Sequence, residues 1–427
     1  MKSFLIILTR KYPYDFGEPF LESEIDKHKQ YYDKILVLSQ DVSKNSNQTR
    51  IPPEGIEFTA TATGDRKKLR RRDLLYAPHL FIAPNKAIKL ELQQQKLNIL
   101  QKCFLCYFEA RCLRLLDEAK DILKNIDIDQ YDKITLYSYW MFANANVGLY
   151  LKEYFANERN FKGKISLFSR AHRFDIYKEK NLLKYLPFRP RLLDGFDKIF
   201  PCSEDGSIYL KKAYPQYASK INTAYLGTRD YGVSATNEKP GSFHIVSCSR
   251  VVKIKGLERL IDDLSILDPN PNVKWTHIGG GVEGKTSYFN QIKSYAKKKL
   301  KNISFEFIGT LSNIEVYEYY KHNAIDVFVN CSYSEGLPVS LMEASSFGIP
   351  IIATDVGGTR EILNDGYNGF LLPKDFKSGQ LTKKLELLMN ETAEEKLARR
   401  SAARKLWENY YDAEKNYTDF AEMISKF

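Results

Sequence analysis

The chain has 427 residues, 43% of them hydrophobic and 27% charged, which sets aside a mainly disordered chain and allows two or three globular domains. No apolar run approaches the roughly 18–20 residues of a membrane span, and six cysteines in so long a chain are not a disulfide framework. Residues 1–230 hold 39 Lys and Arg against 28 Asp and Glu, and residues 231–427 hold 25 of each, so the whole formal excess of +11 lies in the first half.

Residues 3–8 read as a strand. The apolar core of that run, 4–8, is shorter than a signal-peptide core and is followed by Arg10, Lys11 and Asp15, so the expectation is a cytoplasmic protein. A helix over 20–28 and a strand over 34–38 follow. Residues 85–125 form one long helical stretch, with Ile88, Leu92, Leu97, Leu100 and Phe104 near helical spacing. Cys103, Cys106 and Cys112 within it are read as buried small side chains rather than metal ligands. Then come a strand (133–136), a helix (142–155), a strand (164–168), a strand (198–201), a helix (204–212) and a strand (222–225). Strands separated by helices predict a parallel sheet. Residues 229–241, with Gly232, Ser234, Pro240 and Gly241 and no apolar period, are the expected linker.

The second half repeats the alternation. Strands are predicted at 243–248, 273–278, 303–308, 324–329 and 350–353, and helices at 257–267, 286–299, 314–321 and 338–347. This is a doubly wound pattern, whose ligands bind beyond the carboxyl ends of the strands. A last helical stretch, 402–425, lies outside it. The domain expectation is therefore 1–228, a linker at 229–241, 242–401, and a final helix over 402–427.

The strongest local signal is Ser334-Glu335-Gly336-Leu337-Pro338-Val339-Ser340-Leu341-Met342-Glu343-Ala344, just after a strand. Gly336 permits a turn or close approach, and Pro338 suits the first helical position. The free N–H groups near Leu337 and Val339, with the helix dipole, favour an anion. Glu335 and Glu343 flank that place. Carboxylates beside an anion site suit hydroxyls, as on a sugar or ribose. Arg250 at the end of strand 243–248 and Lys255 before the next helix supply two cations for a diphosphate. Gly279-Gly280-Gly281-Val282-Glu283-Gly284 matches G-x-G-x-x-G. It sits at the second strand–helix turn and no ribose-binding acid ends the next strand, so it reads as a tight turn and not a dinucleotide fingerprint. In the first half, His172 and Asp175 stand at the end of strand 164–168, read either as functional or as a self-capped loop. Asp127-Ile128-Asp129 precedes a strand and is taken as a solvated connector.

These residues together resemble the retaining glycosyltransferases of the GT-B fold, family 4, the glycosyl transferases group 1. The match is strongest over 243–372: Arg250, Lys255, the GGG turn, Phe307-Ile308-Gly309, the E-x7-E pair, Gly348 to Glu361, and Asp365-Gly366-Tyr367-Asn368-Gly369. It is looser in Tyr12-Pro13 to Gly17, Ser169 to Asp175, and Pro201-Cys202-Ser203-Glu204.

The resemblance implies an α/β chain of two Rossmann-like doubly wound domains with an interdomain cleft and a C-terminal crossover helix. It implies a hexosyltransferase moving a sugar from a UDP- or GDP-linked donor to a hydroxyl of a glycan or lipid-linked glycan, as in cell-surface polysaccharide assembly. In that reading Arg250 and Lys255 contact the diphosphate and Glu335 the sugar hydroxyls. The backbone of Gly336, Leu337 and Val339 meets sugar and phosphate, Glu343 binds the ribose, and Gly280 and Gly309 line the nucleotide. His172 faces the reacting sugar, and Gly17 keeps the first loop open to donor and acceptor. No cofactor and no metal are expected; the nucleotide-sugar is a co-substrate. The basic first half, with Arg66 to Arg72 followed by Leu74, Leu75 and Tyr76, fits peripheral contact with an anionic membrane on the cytoplasmic side rather than nucleic acid. The competing enzymes are a GT-B phosphorylase and a Rossmann oxidoreductase.

Overall fold

A computed structural model describes residues 2–15, 17–43, 45–62, 64–236, 241–281 and 287–427. The chain divides into two compact units, Met1–Leu226 with Glu414–Phe427, and Gly227–Ala413.

The first unit is a six-stranded parallel sheet in the order β3-β2-β1-β4-β5-β6. Its strands are β1 (Ser3–Thr9), β2 (Lys34–Ser43), β3 (Glu57–Ala62), β4 (Lys133–Ser138), β5 (Lys164–Ala171) and β6 (Lys198–Pro201). Phe4 to Leu8 are wholly buried, so β1 is covered on both faces, as an all-parallel sheet requires. Strand β3 has no counterpart in the sequence expectation, because its Thr-Ala alternation lacks an apolar run. Residues 222–225 were expected as a strand; the recorded pairing there is a single bridge, Ile199 with Ile221.

The single helical stretch expected over 85–125 is two helices, the last two in a series of three: Arg66–Ile82, Lys86–Gln94 and Ile99–Leu123. Asn85 and Asn98 restart the last two, each accepting a backbone N–H three residues on. Cys106 and Cys112 are buried, whereas Cys103 is exposed. The expected connector at Asp127 caps itself, its side chain accepting the Asp129 N–H at 3.2 Å.

The second unit is also a six-stranded parallel sheet, ordered β12-β11-β10-β7-β8-β9. Its strands are β7 (Phe243–Cys248), β8 (Val273–Ile278), β9 (Ser304–Gly309), β10 (Val327–Asn330), β11 (Ile351–Thr354) and β12 (Gly369–Leu372). Trp275, fully buried, anchors the core. Its indole donates to Ser247 Oγ at 3.0 Å, Ser247 bonds His277 Nδ1 at 2.8 Å, and His277 Nε2 reaches the Ser249 carbonyl at 3.1 Å. Burial holds the His277 imidazole neutral, its pKa lowered to about 4. This chain of bonds satisfies each buried polar group and fixes the backbone just before Arg250.

The final stretch, expected as one helix over 402–427, is two. Ala393–Tyr410 belongs to the second unit, and the greater part of Ala413–Ser425 belongs to the first. In the first unit Tyr417, Phe420, Ala421 and Ile424 are buried, with Phe420 beneath the Arg170 guanidinium at 4.0 Å.

Candidate functional site

In each sheet the strand order reverses once, and the loops leaving the two strands at that point diverge to open a crevice at their carboxyl ends. In the second unit the reversal lies between β7 and β10. The loop after β7 carries Arg250 and Lys255; the loop after β10 carries Glu335. Lys255 Nζ bonds Glu335 Oε1 at 2.7 Å, and Asn330 Nδ2 adds a longer contact of 3.3 Å to the same oxygen. The pair thus bridges the reversal point.

Two glycines set this geometry. Gly256 has φ +64, and a Cβ on it would lie 2.2 Å from the Cys331 carbonyl oxygen, so the two loops touch backbone to backbone. Gly357, at φ +57, sits as tightly against the Glu335 carbonyl, where a Cβ would be 2.3 Å away. The Gly358 N–H then donates to the Gly336 carbonyl at 2.7 Å. Arg250 is exposed and makes no ion pair among the described residues; the structure joins Lys255 and Glu335 but not Arg250.

Glu343 lies on the helix Val339–Ser346 that follows this loop. Pro338 is the cap of that helix, with extended backbone, not its first residue as expected. Gly336, Leu337 and Val339 are half-buried at its start. The Glu343 side chain is buried, and Tyr317 Oη donates to it at 3.1 Å. Burial raises its pKa to about 7, with the Tyr317 bond opposing. Tyr317 is itself stacked on Tyr231 at 4.6 Å. Carboxylate chemistry at Glu343 is therefore poised between its neutral and charged forms.

At the ends of β8 and β9 the Gly279 N–H donates to the Gly309 carbonyl at 2.7 Å. A Cβ on Gly280 would strike Thr310 Oγ1 at 2.3 Å, whereas Gly309, at φ +91, faces open space. Gly309 thus leaves room for a flat ligand at the strand end, and Gly280 packs against the neighbouring turn. Val282, Glu283 and Gly284 of the glycine-rich motif lie outside the described residues.

In the first unit the reversal lies between β1 and β4, and here too a carboxylate bridges it. Glu18 Oε1 accepts from the Arg10 N–H at 2.8 Å and from Trp140 Nε1 at 2.6 Å; Oε2 accepts from the N–H groups of Lys11 at 2.8 Å and Tyr12 at 2.7 Å. Glu18 and Trp140 line an open recess with Arg10, Lys11, Asp15 and Gly17. A Cβ on Gly17 would lie 3.0 Å from Lys11 Cβ. Sequence reading missed Glu18 and Trp140; the only available signal was a Glu in a loop after the first strand.

His172 packs against Trp140 with ring centroids 4.5 Å apart, and its Nε2 contacts the Tyr139 carbonyl at 3.0 Å. Since a carbonyl only accepts, Nε2 carries the proton. Burial, then the nearby Arg170 charge, lower the His172 pKa to about 4, so the ring is neutral at ordinary pH. Asp175, buried, accepts from the backbone of His172 and Met141. Asp175 thus belongs to a loop capped by its own side chain. His172 instead backs Trp140, one of the residues that line the recess.

The family model for glycosyl transferases group 1 matches residues 233–406. The GtfA subunit of a UDP-N-acetylglucosamine–peptide N-acetylglucosaminyltransferase from Streptococcus pneumoniae is 28% identical over 166 residues, 38% of this chain and 30% of that protein. A D-inositol 3-phosphate glycosyltransferase from Pseudarthrobacter chlorophenolicus is 29% identical over 147 residues, 34% of this chain and 33% of that protein. The aligned stretch thus spans about a third of these relatives. Among solved structures, Anabaena Alr3699/HepE in complex with UDP superposes with a TM-score of 0.62 at 17% identity over 100% of both chains. Sucrose-phosphate synthase from Thermosynechococcus elongatus gives 0.67 at 14% identity, over 100% of this chain and 99% of that one. These likenesses establish the fold: two Rossmann-like α/β units of the GT-B type.

Proposed function

We propose that the protein is a glycosyltransferase that moves a hexosyl group, with retention, from a UDP- or GDP-linked sugar to a hydroxyl of a glycan or lipid-linked glycan. The observation that carries this is the Lys255–Glu335 pair at 2.7 Å across the strand-order reversal of the second unit, with the buried Glu343 on the helix that follows. An ammonium for phosphate and two carboxylates for hydroxyls form the donor set that such a substrate needs.

In this reading the incoming diphosphate draws Lys255 Nζ away from Glu335, and Arg250 meets the same charge from the β7 loop. Glu335 then accepts hydrogen bonds from sugar hydroxyls. Glu343 accepts from the ribose and becomes fully ionised as it does so. The C1–O bond breaks with oxocarbenium character, and the two cations and the helix start carry the negative charge that builds on the leaving diphosphate. The acceptor hydroxyl attacks from the same face. Its proton passes to the leaving phosphate, since no side chain of the donor set is placed as a nucleophile. His172, neutral and packed on Trp140, supplies no charge in this scheme. The cations take the place of a metal in this scheme, so turnover should survive chelation.

The test is a panel of nucleotide-sugars incubated with the full chain, reading nucleotide release and thermal shift. One or two donors should raise the melting temperature and be hydrolysed slowly without acceptor. No shift and no release with any UDP- or GDP-sugar would overturn the proposal.

A further inference from the structure

The surface that residues 67–100 build on the first unit serves no part of the chemistry above. The helix Arg66–Ile82 buries Asp73 and Leu80 and leaves most of its remaining residues in solvent. Its first half exposes Lys67, Lys68, Arg70, Arg71 and Arg72. Its second half exposes Leu74, Leu75, Phe81 and Ile82, with Leu75 81% and Ile82 84% accessible. Ile99 and Leu100, at the start of the helix packed against it, are 61% and 63% accessible.

The acids of this segment do not offset that charge. Asp73 is buried and bonded twice by Arg114, at 2.6 and 2.9 Å. Glu91 is buried, accepting from Tyr185 Oη at 2.7 Å and the Phe188 N–H at 3.0 Å. Asp65 accepts from the N–H groups of Lys67 and Lys68 at the helix start. The accessible side-chain charge along the helix is therefore positive. Cations in the first turn oppose the helix dipole, and exposed Leu and Ile work against solubility. Neither feature helps the helix fold, so both point outward.

We propose that this face docks on a bilayer rich in anionic lipid, the basic half at the headgroups and the apolar half entering the interface. A helix of 17 residues is about 25 Å long, enough to lay both halves on one plane. Nucleic acid would use the cations but not Leu75 and Ile82. A second copy of the chain would set like charges against each other. An anionic membrane uses both halves.

The experiment is co-sedimentation of the full chain with phosphatidylcholine vesicles, alone and mixed with phosphatidylglycerol, at low and high salt. Binding should need the anionic lipid and weaken with salt. K67Q/K68Q/R71Q should lower partitioning roughly a hundredfold, and L75Q/I82Q at least tenfold. Both variants should keep the parental melting temperature and nucleotide-sugar hydrolysis, which separates a failure here from a failure of the proposed activity. Equal partitioning onto neutral vesicles, or full binding by either variant, would overturn the proposal. So would a dimer that L75Q/I82Q dissolves with no vesicle binding, or tight single-stranded DNA binding that L75Q/I82Q leaves unchanged.

Discussion

Lys255 and Glu335 each hold the partner that a donor must displace, so their roles separate in kinetics. K255A removes the ammonium at the leaving group and should cut kcat about 10²–10³-fold. Turnover close to the parent's, in a steady-state assay with the preferred nucleotide-sugar, would strip Lys255 of that role. Glu343 adds a pH signature. Its pKa of about 7 in the fold lies above the ordinary 4.5, so the folded form holds the proton more tightly. Its contribution to stability is full below about pH 4.5 and is lost as the pH rises through 7. E343Q should therefore gain on the parent in melts at pH 8.5 but not at pH 4.5, by up to about 3 kcal/mol. The same carboxylate should make nucleotide affinity rise between pH 6 and 8, as ribose hydroxyls favour the anion. Titration calorimetry on E343Q should lose that slope. Both acids were legible in the sequence because they stand in one contiguous motif with seven residues between them. Tyr317, which holds Glu343, was not: it comes from a different helix, and only packing brings it near.

At the level of loops and strands, the first unit depends on Glu18 as the second depends on Gly256. Glu18 satisfies four N–H groups. E18Q would turn an amide NH₂ toward two of them and should cost about 2–4 kcal/mol in urea denaturation, with Trp140 fluorescence reporting the loosened loop. G256A meets both a left-handed backbone and the Cys331 carbonyl at 2.2 Å. It should cost about 2–4 kcal/mol and weaken nucleotide binding, because it pushes apart the loops that carry Lys255 and Glu335. If G256A bound nucleotide like the parent, the contact between those loops would not govern the site. Strands β7, β10 and β11 were readable as short, mostly apolar and buried runs, whereas β8 and β9 were readable from apolar residues at alternate positions. Strand β3 and the helix Arg66–Ile82 were not, since one is Thr-Ala-rich and the other segregates charge and hydrophobicity lengthwise. Glu18 was invisible for a related reason: its partners are mostly backbone groups, and sequence does not show where backbones converge.

Across the whole molecule, the two sheets repeat one solution, a carboxylate spanning the place where strand order reverses, although only the second belongs to a motif. The last residues break the symmetry. Tyr417, Phe420 and Ile424 are buried in the first unit, and Arg170, also buried, lies over the Phe420 ring and bonds Glu24 at 2.9 Å. Deleting 414–427 should open that buried ion pair to water and cost the first unit several kcal/mol. Nucleotide binding by the second unit should persist. Denaturation followed by intrinsic fluorescence, beside calorimetry with the nucleotide, would check both halves; equal loss in the two would contradict the division.

That division also sets an order of events at the ribosome. Residues 227–413 are made between the bulk of the first unit and its closing helix, a delay of roughly 10–40 s at ordinary elongation rates. The half that emerges earliest thus waits longest for its final piece. During the wait the aromatic floor that Phe420 later covers stands bare, and a chaperone or a misplaced neighbouring strand has its best opportunity there.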